Sequence, residues 1–321
     1  MPGSTIYALS SGQLPSGVAI IRVSGSECGI AVEYLLGGEL HQRKASLRKL
    51  THPTSNEVLD EVIALWFAGP ASFTGEDVLE IQCHGGAATV SAILDALSTL
   101  HGFRLAEPGE FSRRAFENGR LDLTELEGLS DLISAQTEVQ RRQAASQAGG
   151  GLSELYENWR SELIRIRSHM EAEIDFADEG DVNERAPETR GVKIQALLEA
   201  ISSHLDDGNR GQIVRDGLKV VLAGPPNAGK SSLLNALAKR DIAIVTPYAG
   251  TTRDIVEVQL DIDGHLVTVS DTAGIRSTGD EIELAGIQKS HNAMKDADLV
   301  LWLQDIPGTK IPEAPANAVQ V

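Results

Sequence analysis

Residues 218–237 read LKVVLAGPPNAGKSSLLNAL, an apolar run that enters a glycine-rich turn and continues into a segment with helical spacing. The turn satisfies the pattern GxxxxGK[ST] from Gly224 to Ser231. Glycines in such a turn let the backbone curl, so that successive N–H groups and the N-terminus of the helix point at phosphate oxygens. Lys230 adds a positive charge there, and the hydroxyl of Ser231 is placed to hold Mg²⁺. The order strand, loop, helix therefore predicts a phosphate-binding loop in an α/β domain.

Two further motifs follow in the order that nucleotide-dependent switch proteins use. The tetrapeptide DTAG at 271–274 comes directly after a predicted hairpin strand, where a carboxylate reaches the metal shell and a glycine N–H senses a γ-phosphate. Thr251 and Thr252 lie between this motif and the phosphate loop. Loop, switch threonine and aspartate form an ordered triple that resembles the Ras-like, translation-factor-related GTPases. The resemblance implies a Ras-like G domain that binds GTP.

One position departs from the Ras pattern. The residue after DTAG is Ile275, whose apolar side chain cannot orient an attacking water as a glutamine does. Asn227 could instead help to coordinate a monovalent cation, and Glu281 or Glu283 could polarise water if their segment folds inward. The alternative for either glutamate is an exposed place in the first turn of a helix, where the helix dipole favours it.

The pattern of apolar residues changes twice along the chain. Residues 1–120 mix short apolar runs with helix-spaced segments that stop at glycine, which is typical of an α+β domain. Residues 121–215 carry long helical periodicities, with expected breaks at the triple glycine 149–151 and at the acidic stretch 177–189. Residues 216–321 alternate between strand and helix, and Asp263-Gly264 predicts a hairpin turn. We expect a multidomain protein of α/β and α+β class with these three domains.

Composition narrows the function classes. The 321 residues contain 28 Lys and Arg against 46 Asp and Glu, a formal net charge of −18, which argues against a protein that coats duplex nucleic acid. Two cysteines are too few for a disulfide scaffold. No stretch approaches the roughly 18 apolar residues that span a bilayer. These features predict a cytoplasmic protein without a membrane segment.

Sequence runs outside the G domain make the resemblance more specific. They are TIYA at 5–8, AIIRVSG at 19–25, SFTGEDVLEIQCHGG at 72–86 and RLAEPGEFSRRAFENGRLDLTELEGLSDLI at 104–133. Together with the GTPase triple they resemble the MnmE (TrmE) family of tRNA-modification GTPases over essentially the entire chain. The resemblance implies an N-terminal domain that binds a folate and forms a homodimer, and a helical domain that carries the G domain as an insertion. It also implies a partnership with an MnmG-type flavoprotein that modifies C5 of the wobble uridine, position 34, of certain tRNAs.

The same resemblance assigns folate contacts to Arg22, Glu80 and Arg120. An arginine can donate a forked pair of hydrogen bonds to the glutamate carboxylate of 5-formyl-tetrahydrofolate or a related folate, and a carboxylate can accept from the amino group of the pterin. Arg120 stands where some relatives have lysine, so it keeps the charge and changes the geometry. Without the resemblance these residues are ordinary surface ion pairs or helix-end charges.

For the G domain the resemblance implies GTP, Mg²⁺, K⁺ and a catalytic glutamate. Glu283 matches the catalytic glutamate of that family, which would polarise the attacking water that Ile275 cannot orient. Mg²⁺ is assigned to Ser231 and Thr252, and K⁺ to Asn227, Thr246, Tyr248 and Thr251. The full set of expected nucleotide contacts is Asn227, Ala228, Gly229, Lys230, Ser231, Ser232, Thr246, Thr251, Thr252, Asp271, Thr272, Ala273 and Gly274.

The sequence lacks two motifs of that family. It contains no NKxD, the motif that reads the guanine edge, and no C-terminal Cys-x-Gly-Lys. We therefore expect an incomplete G domain, with an apolar run near 318–321 as the start of its next strand. The alternatives are a regulatory GTPase switch of the ribosome-assembly type, or an inactive fragment that retains folate binding and dimerisation. Residues 1–120 distinguish a tRNA-modification GTPase from a ribosome-assembly GTPase, because the latter has no reason to carry the folate-domain segment.

Overall fold

The computed structural model describes residues 3–175, 186–225, 228–240, 242–244, 257–271, 294–304 and 318–320. Its contacts divide the chain into two units, Met1–Leu126 and Glu127–Val321. The division into three domains that the sequence predicts stays a prediction.

The first unit is built on a six-stranded sheet. Its strands are β1 (Thr5–Leu9), β2 (Ser16–Ser24), β3 (Ser46–Thr51), β4 (Val58–Phe67), β5 (Val78–Gly85) and β6 (Phe103–Leu105). They lie in the order β3-β4-β5-β2-β1-β6, with β1 and β6 parallel and the other pairs antiparallel. The helices are α1 (Cys28–Leu36), α2 (Ala87–Ser98), α3 (Glu110–Glu117) and α4 (Leu123–Ser134), and the division between the units falls within α4. This mixture of strands and helices confirms the α+β prediction.

Strand alternation explains where the core of this unit lies. Ala19, Ile21 and Val23 of β2 are completely buried, together with apolar side chains of β5, α1 and α2. Successive strand residues point to opposite faces. The residues between them, including Arg22, therefore lie on the other face of the sheet. Burial of one face thus places charged side chains of the central strands together on the opposite one.

The two outermost strands of this sheet are not predicted from the sequence. β3 reads SLRKLT, and β6 has three residues, so neither shows a strong apolar run. Both lie at edges of the sheet, where charged side chains and short length are common because one side of the strand faces solvent or a loop. Edge strands therefore give a weak sequence signal.

Helices begin the second unit. They are α5 (Glu138–Ala148), α6 (Gly151–Asp175) and α7 (Ala186–Asp216). Thr137 and Gln140 form a capping box at the start of α5. The predicted break at the triple glycine is confirmed at residues 149–150, and α6 already begins at Gly151. The break predicted to extend to residue 189 is too long, since α7 begins at Ala186. Pro187 is tolerated there because the first turn of a helix requires no N–H donor.

A five-stranded sheet forms the rest of this unit. Its elements are β7 (Leu218–Ala223), α8 (Lys230–Leu237), β8 (Glu257–Ile262), β9 (His265–Asp271), β10 (Leu299–Trp302) and β11 (Ala318–Gln320). The strand order is β11-β10-β7-β9-β8, parallel except for the β8–β9 hairpin. Asp263 and Gly264 both have positive φ, 51° and 82°, which confirms the predicted turn. The parallel sheet with a helix after its first strand agrees with the predicted α/β G domain.

Of the helices in the described part of the chain, none combines the length and the apolar composition that a bilayer crossing requires.

Candidate functional site

The phosphate loop begins at the end of the buried strand β7, next to the chain that follows β10. The residues of β7 from Val220 to Ala223 are at most 5% exposed, and the strand leads directly into Gly224. Gly224 has φ of 140°, and a Cβ there would overlap the carbonyl oxygen of Leu303 beyond β10. A glycine is therefore required both by the backbone conformation and by the close approach of the neighbouring chain. The local sequence thus fixes how the loop leaves the sheet.

Lys230 is held at the other end of the loop. Gly229 has φ of 87° and is the N-cap of α8, whose first residue is Lys230. The lysine is only 6% exposed, and its Nζ donates hydrogen bonds to the carbonyl oxygens of Gly224 at 3.0 Å and Pro225 at 2.9 Å. The ammonium group thus faces the mouth of the loop, beside the positive end of the helix dipole. Two positive features converge where an anion would bind.

In the described residues of the G domain, two oxygen-bearing side chains that could ligate a metal lie together next to this lysine. The hydroxyl of Ser231 donates a hydrogen bond of 2.5 Å to Oδ2 of Asp271. Asp271 is 1% exposed at the end of β9, and it pairs in register with Leu222 of β7. Residues 40 positions apart in the chain meet because the parallel strands β7 and β9 end at the same edge. A hydroxyl and a carboxylate are oxygen ligands of the kind that Mg²⁺ prefers, so this pair fits the metal.

The structure places only part of the expected nucleotide site. Ala228, Gly229, Lys230, Ser231, Ser232 and Asp271 lie within the described residues. Nine expected site residues lie outside them: Asn227, Thr246, Tyr248, Thr251, Thr252, Thr272, Ala273, Gly274 and Glu283. The expected K⁺ site and catalytic glutamate therefore stay predictions.

A second cluster lies in the first unit, where Arg22 of β2 and Glu80 of β5 are direct cross-strand partners. Nε and Nη2 of Arg22 donate to the same oxygen, Oε1 of Glu80, at 3.0 and 2.8 Å. The side chains are 25% and 21% exposed, so both are partly accessible to a ligand. Ion pairs at this exposure contribute about 1 kcal/mol or less to stability, and a competing ligand can displace them.

Two aromatic rings flank this arginine, and neither is predicted as a site residue from the sequence. The guanidinium carbon of Arg22 lies 5.1 Å from the ring centroid of Phe73 and 5.7 Å from that of Phe111. Both distances are within the range of cation–π attraction. The two phenylalanines belong to the segments 72–86 and 104–133 that carry the family resemblance, but no spacing in the sequence indicates that they share one partner.

Arg120 is linked to this cluster by a hydrogen bond to the backbone. Its Nε donates to the carbonyl oxygen of Ser72 at 3.2 Å, directly before Phe73. Gly75 has φ of 82°, and a Cβ there would come within 3.1 Å of the Arg120 side chain. The three expected folate residues thus converge on the loop 72–76 and the strands beside it.

This donor set fits a folate in chemical terms. A folate offers carboxylates for an arginine, an aminated pterin for a glutamate, and flat rings for phenylalanine side chains. Arg22 and Glu80 satisfy each other here, and one ligand that carries both an anion and N–H donors satisfies both groups when their mutual hydrogen bonds open.

Comparison with known proteins covers both units. Residues 5–120 match the family model described as the N-terminus of the GTP-binding protein TrmE, and residues 123–310 match that of the MnmE helical domain. The proteins to which the chain is similar include three named tRNA modification GTPase MnmE. That of Rhizobium meliloti (strain 1021) is 54% identical over 304 residues, which are 95% of this chain and 69% of that protein. Those of Sinorhizobium medicae (strain WSM419) and Rhodopseudomonas palustris (strain BisB18) are 53% and 52% identical, and each alignment covers 94% of this chain and 69% and 67% of the relative.

Among solved structures, the G domain of the T. maritima FeoB iron transporter is 29% identical over 28% of this chain and 55% of that chain, with a TM-score of 0.19.

Proposed function

This chain belongs to the MnmE (TrmE) family of tRNA modification GTPases, and on that premise we propose a ligand and a role for each of its two sites. The chain is a GTPase that acts in tRNA modification. GTP binds at the loop 224–231, and a folate binds beside Arg22. The contact of Ser231 with Asp271, next to Lys230, is the observation that carries the first assignment.

At the nucleotide site the chain supplies positioning and charge. Lys230 exchanges the carbonyl oxygens of its own loop for the β- and γ-phosphates, and the N–H groups at the start of α8 bind the same phosphates. Ser231 and Thr252 hold Mg²⁺, with Asp271 on the same side of the site. The metal, when bound, neutralises charge that develops on the transferring phosphoryl group.

Water activation is assigned to groups that the Ras pattern lacks. Glu283 polarises the attacking water, because Ile275 has no polar group for that task. K⁺ is held by Asn227, Thr246, Tyr248 and Thr251, where it supplies the positive charge of an arginine finger. These assignments rest on the family and on the sequence positions.

We expect GTP hydrolysis to be at least about tenfold faster in KCl than in NaCl at equal ionic strength, because the proposed ligand set is assigned to K⁺, which supplies the positive charge of an arginine finger. Phosphate release is measured in both salts at the same Mg²⁺ concentration. Equal rates in the two salts would remove K⁺ from the mechanism while leaving the Mg²⁺ assignment standing.

In the first unit the bound folate is 5-formyl-tetrahydrofolate or a related one-carbon carrier. Arg22 opens its ion pair with Glu80 and binds a carboxylate of the ligand, and Glu80 accepts hydrogen bonds from the pterin. Arg120 supplies a second positive charge beside the loop 72–76. The exposure of the Arg22–Glu80 pair and the two rings beside it support this assignment.

Replacing Arg22 by alanine is expected to weaken binding of 5-formyl-tetrahydrofolate by about tenfold to 100-fold, the range for losing one charge-assisted hydrogen-bonded pair. The dissociation constant is measured by calorimetric titration of the 321-residue chain. Arg48→Ala is the matched control, since Arg48 lies in β3 of the same sheet and donates to backbone carbonyls of Leu47 and Glu39. Unchanged affinity for the Arg22 variant would refute this role for Arg22.

We assign the modification to C5 of the wobble uridine of certain tRNAs, with an aminomethyl or carboxymethylaminomethyl group as the product. An MnmG-type flavoprotein is the partner, a homodimer forms through the N-terminal domain, and the complex works in the cytoplasm. The charge of −18 fits a protein whose partner supplies much of the basic surface for tRNA.

A further inference from the structure

A buried charge network lies beside the candidate folate site, and the ligand contacts proposed above do not account for it. Glu110 is 2% exposed and Arg114 is 9% exposed, both on α3. Buried charges are costly unless partners compensate for the lost water. Their partners therefore show what the network does.

Glu110 accepts hydrogen bonds from two arginines and one backbone group. Oε1 and Oε2 accept from Arg104 at 2.5 and 2.8 Å, and Oε1 also accepts from Arg114 at 3.1 Å. The backbone N–H of Glu107 donates to Oε2 at 2.9 Å. These contacts fix the first turn of α3, and the next residue in that turn is Phe111, whose ring lies against Arg22.

Arg114 connects this turn to the loop 72–76. Its Nη1 donates to both carboxylate oxygens of Glu76 at 3.1 and 2.9 Å, and its Nη2 donates to Glu110 and to the carbonyl oxygen of Ser4. A guanidinium with this many partners has little freedom to rotate. Glu76 is thereby tied to α3 across 38 residues of sequence.

Glu76 in turn anchors the residues on either side of Phe73. The hydroxyl of Ser24 donates to Oε2 of Glu76 at 2.7 Å, so the hydroxyl of Thr74, also 2.7 Å from Ser24, must donate to Ser24. The hydroxyl of Ser72 donates to the backbone carbonyl of Glu76 at 2.5 Å. Ser72 and Thr74 are 6% and 0% exposed, and Phe73 lies between them.

The network thus reaches both aromatic residues that contact Arg22. One end fixes the backbone that carries Phe111, and the other end fixes the backbone on both sides of Phe73. Ser24, which also belongs to the network, lies two residues after Arg22 on β2. An apolar cluster could stabilise the same helix equally well, but hydrogen bonds add directional control that apolar contacts lack.

We propose that Glu76, Glu110 and Arg114 are positioning residues for the folate site, which hold Phe73 and Phe111 against Arg22. The two rings limit the directions in which the guanidinium can point, so that it meets the ligand carboxylate with less loss of side-chain entropy. This inference rests on the proposed folate function, and it adds a requirement for groups that never touch the ligand.

The test compares Glu76→Gln with the parent 321-residue chain. The amide retains the size of the side chain and an acceptor for Ser24, but it removes the negative charge that faces Arg114. We expect binding of 5-formyl-tetrahydrofolate to weaken about tenfold. We also expect the Nε–Hε resonance of Arg22, followed by NMR without ligand, to lose the upfield shift that two adjacent ring faces produce.

Glu107→Gln is the matched control. Glu107 belongs to the same segment and pairs with Arg113 at 3.3 Å, but both side chains are more than half exposed. We expect this variant to retain the affinity and the Arg22 resonance of the parent.

A general loss of stability is separated from positioning by a double-variant cycle. If Glu76 acts through Phe73, Glu76→Gln weakens binding much less in a Phe73→Leu background than in the parent. Full additivity of the two effects overturns the proposal, as does a Glu76→Gln chain with the parent affinity and Arg22 resonance. If Glu76→Gln does not fold, the same measurements and criteria apply to Arg114→Lys, which retains the charge but loses the forked geometry.

Failure of the proposed function has a different signature. A parent chain that does not bind the folate refutes that function, whereas the ligand-free Arg22 resonance of the Glu76 variant still decides whether the network positions the rings.

Discussion

Replacing Lys230 by alanine is expected to weaken GTP binding by about 100-fold or more. The ammonium group lies at the mouth of the phosphate loop and is 6% exposed, so its charge acts on an anion with little screening by water. The substitution removes at least two charge-assisted hydrogen bonds to phosphate, each worth about 1.5–3 kcal/mol. A tenfold loss of affinity corresponds to about 1.4 kcal/mol, which gives the expected size of the effect.

Titration with a fluorescent GTP analogue in the presence of Mg²⁺ measures this loss. Lys239→Ala is the matched control, because Lys239 is exposed just beyond the end of α8 and carries the same charge. The control is expected to bind like the parent. A Lys230 variant that retains the parent affinity and a normal unfolding transition would contradict a phosphate-binding role for the loop.

The second large effect concerns stability, and it centres on Glu110. Hydrogen bonds from Arg104, together with those from the Glu107 backbone and Arg114, lower the pKa of Glu110 from 4.5 to about 2. A pKa lowered to that extent corresponds to about 3 kcal/mol of the free energy of unfolding at neutral pH. We expect Glu110→Gln to lose at least about this amount, because the change also removes the carboxylate partner of Arg104 and one of the two carboxylate partners of Arg114.

The pH dependence follows from the direction of that change. Because the pKa of Glu110 is lower in the folded chain than in the unfolded chain, its stabilisation is fully present above about pH 4.5. It is lost as the pH falls through about 2. The difference in unfolding free energy between parent and variant should therefore shrink on acidification from pH 5 towards pH 2. A difference that stays constant over this range would show that Glu110 does not act through its charge.

Glu138→Gln provides an electrostatic control in the second unit. The pKa of Glu138 is also lowered to about 2, mainly by hydrogen bonds from Arg141 and Arg142. Its side chain is 47% exposed, so solvent screens these pairs, and its replacement should cost much less than that of Glu110. Urea unfolding is monitored by hydrogen exchange of individual peptides. Peptides from α3 and α5 report the two units separately, so each unit has its own unfolding midpoint.

Contiguous motifs are the part of this protein that the sequence predicts well. The phosphate loop, the Asp263-Gly264 turn and the break at 149–150 each depend on the backbone angles of a few neighbouring residues, so their residue types reveal them. The edge strands β3 and β6 escape prediction because their pairing with neighbours, and not a local apolar pattern, makes them strands.

The cluster around Arg22 shows the opposite case. Family resemblance names Arg22, Glu80 and Arg120, but the rings beside Arg22 have no signature of their own in the chain. Phe73 and Phe111 meet one guanidinium only after the sheet has formed and α3 has packed beside it. The buried charges that hold them look like ordinary surface residues in a sequence, because burial is a property of the folded chain.

By itself, the sequence determined that Lys230 and Ser231 follow a glycine-rich turn at the start of a helix, the local order that predicts a phosphate loop. Only the tertiary structure decided that Ser231 meets Asp271, and that Arg22 meets Glu80 at a sequence separation of 58 residues. Strand order and register set these meetings, and both depend on which apolar faces are buried together across the whole unit. A local motif needs only its own backbone angles, whereas a site assembled from distant strands needs the complete core beneath it.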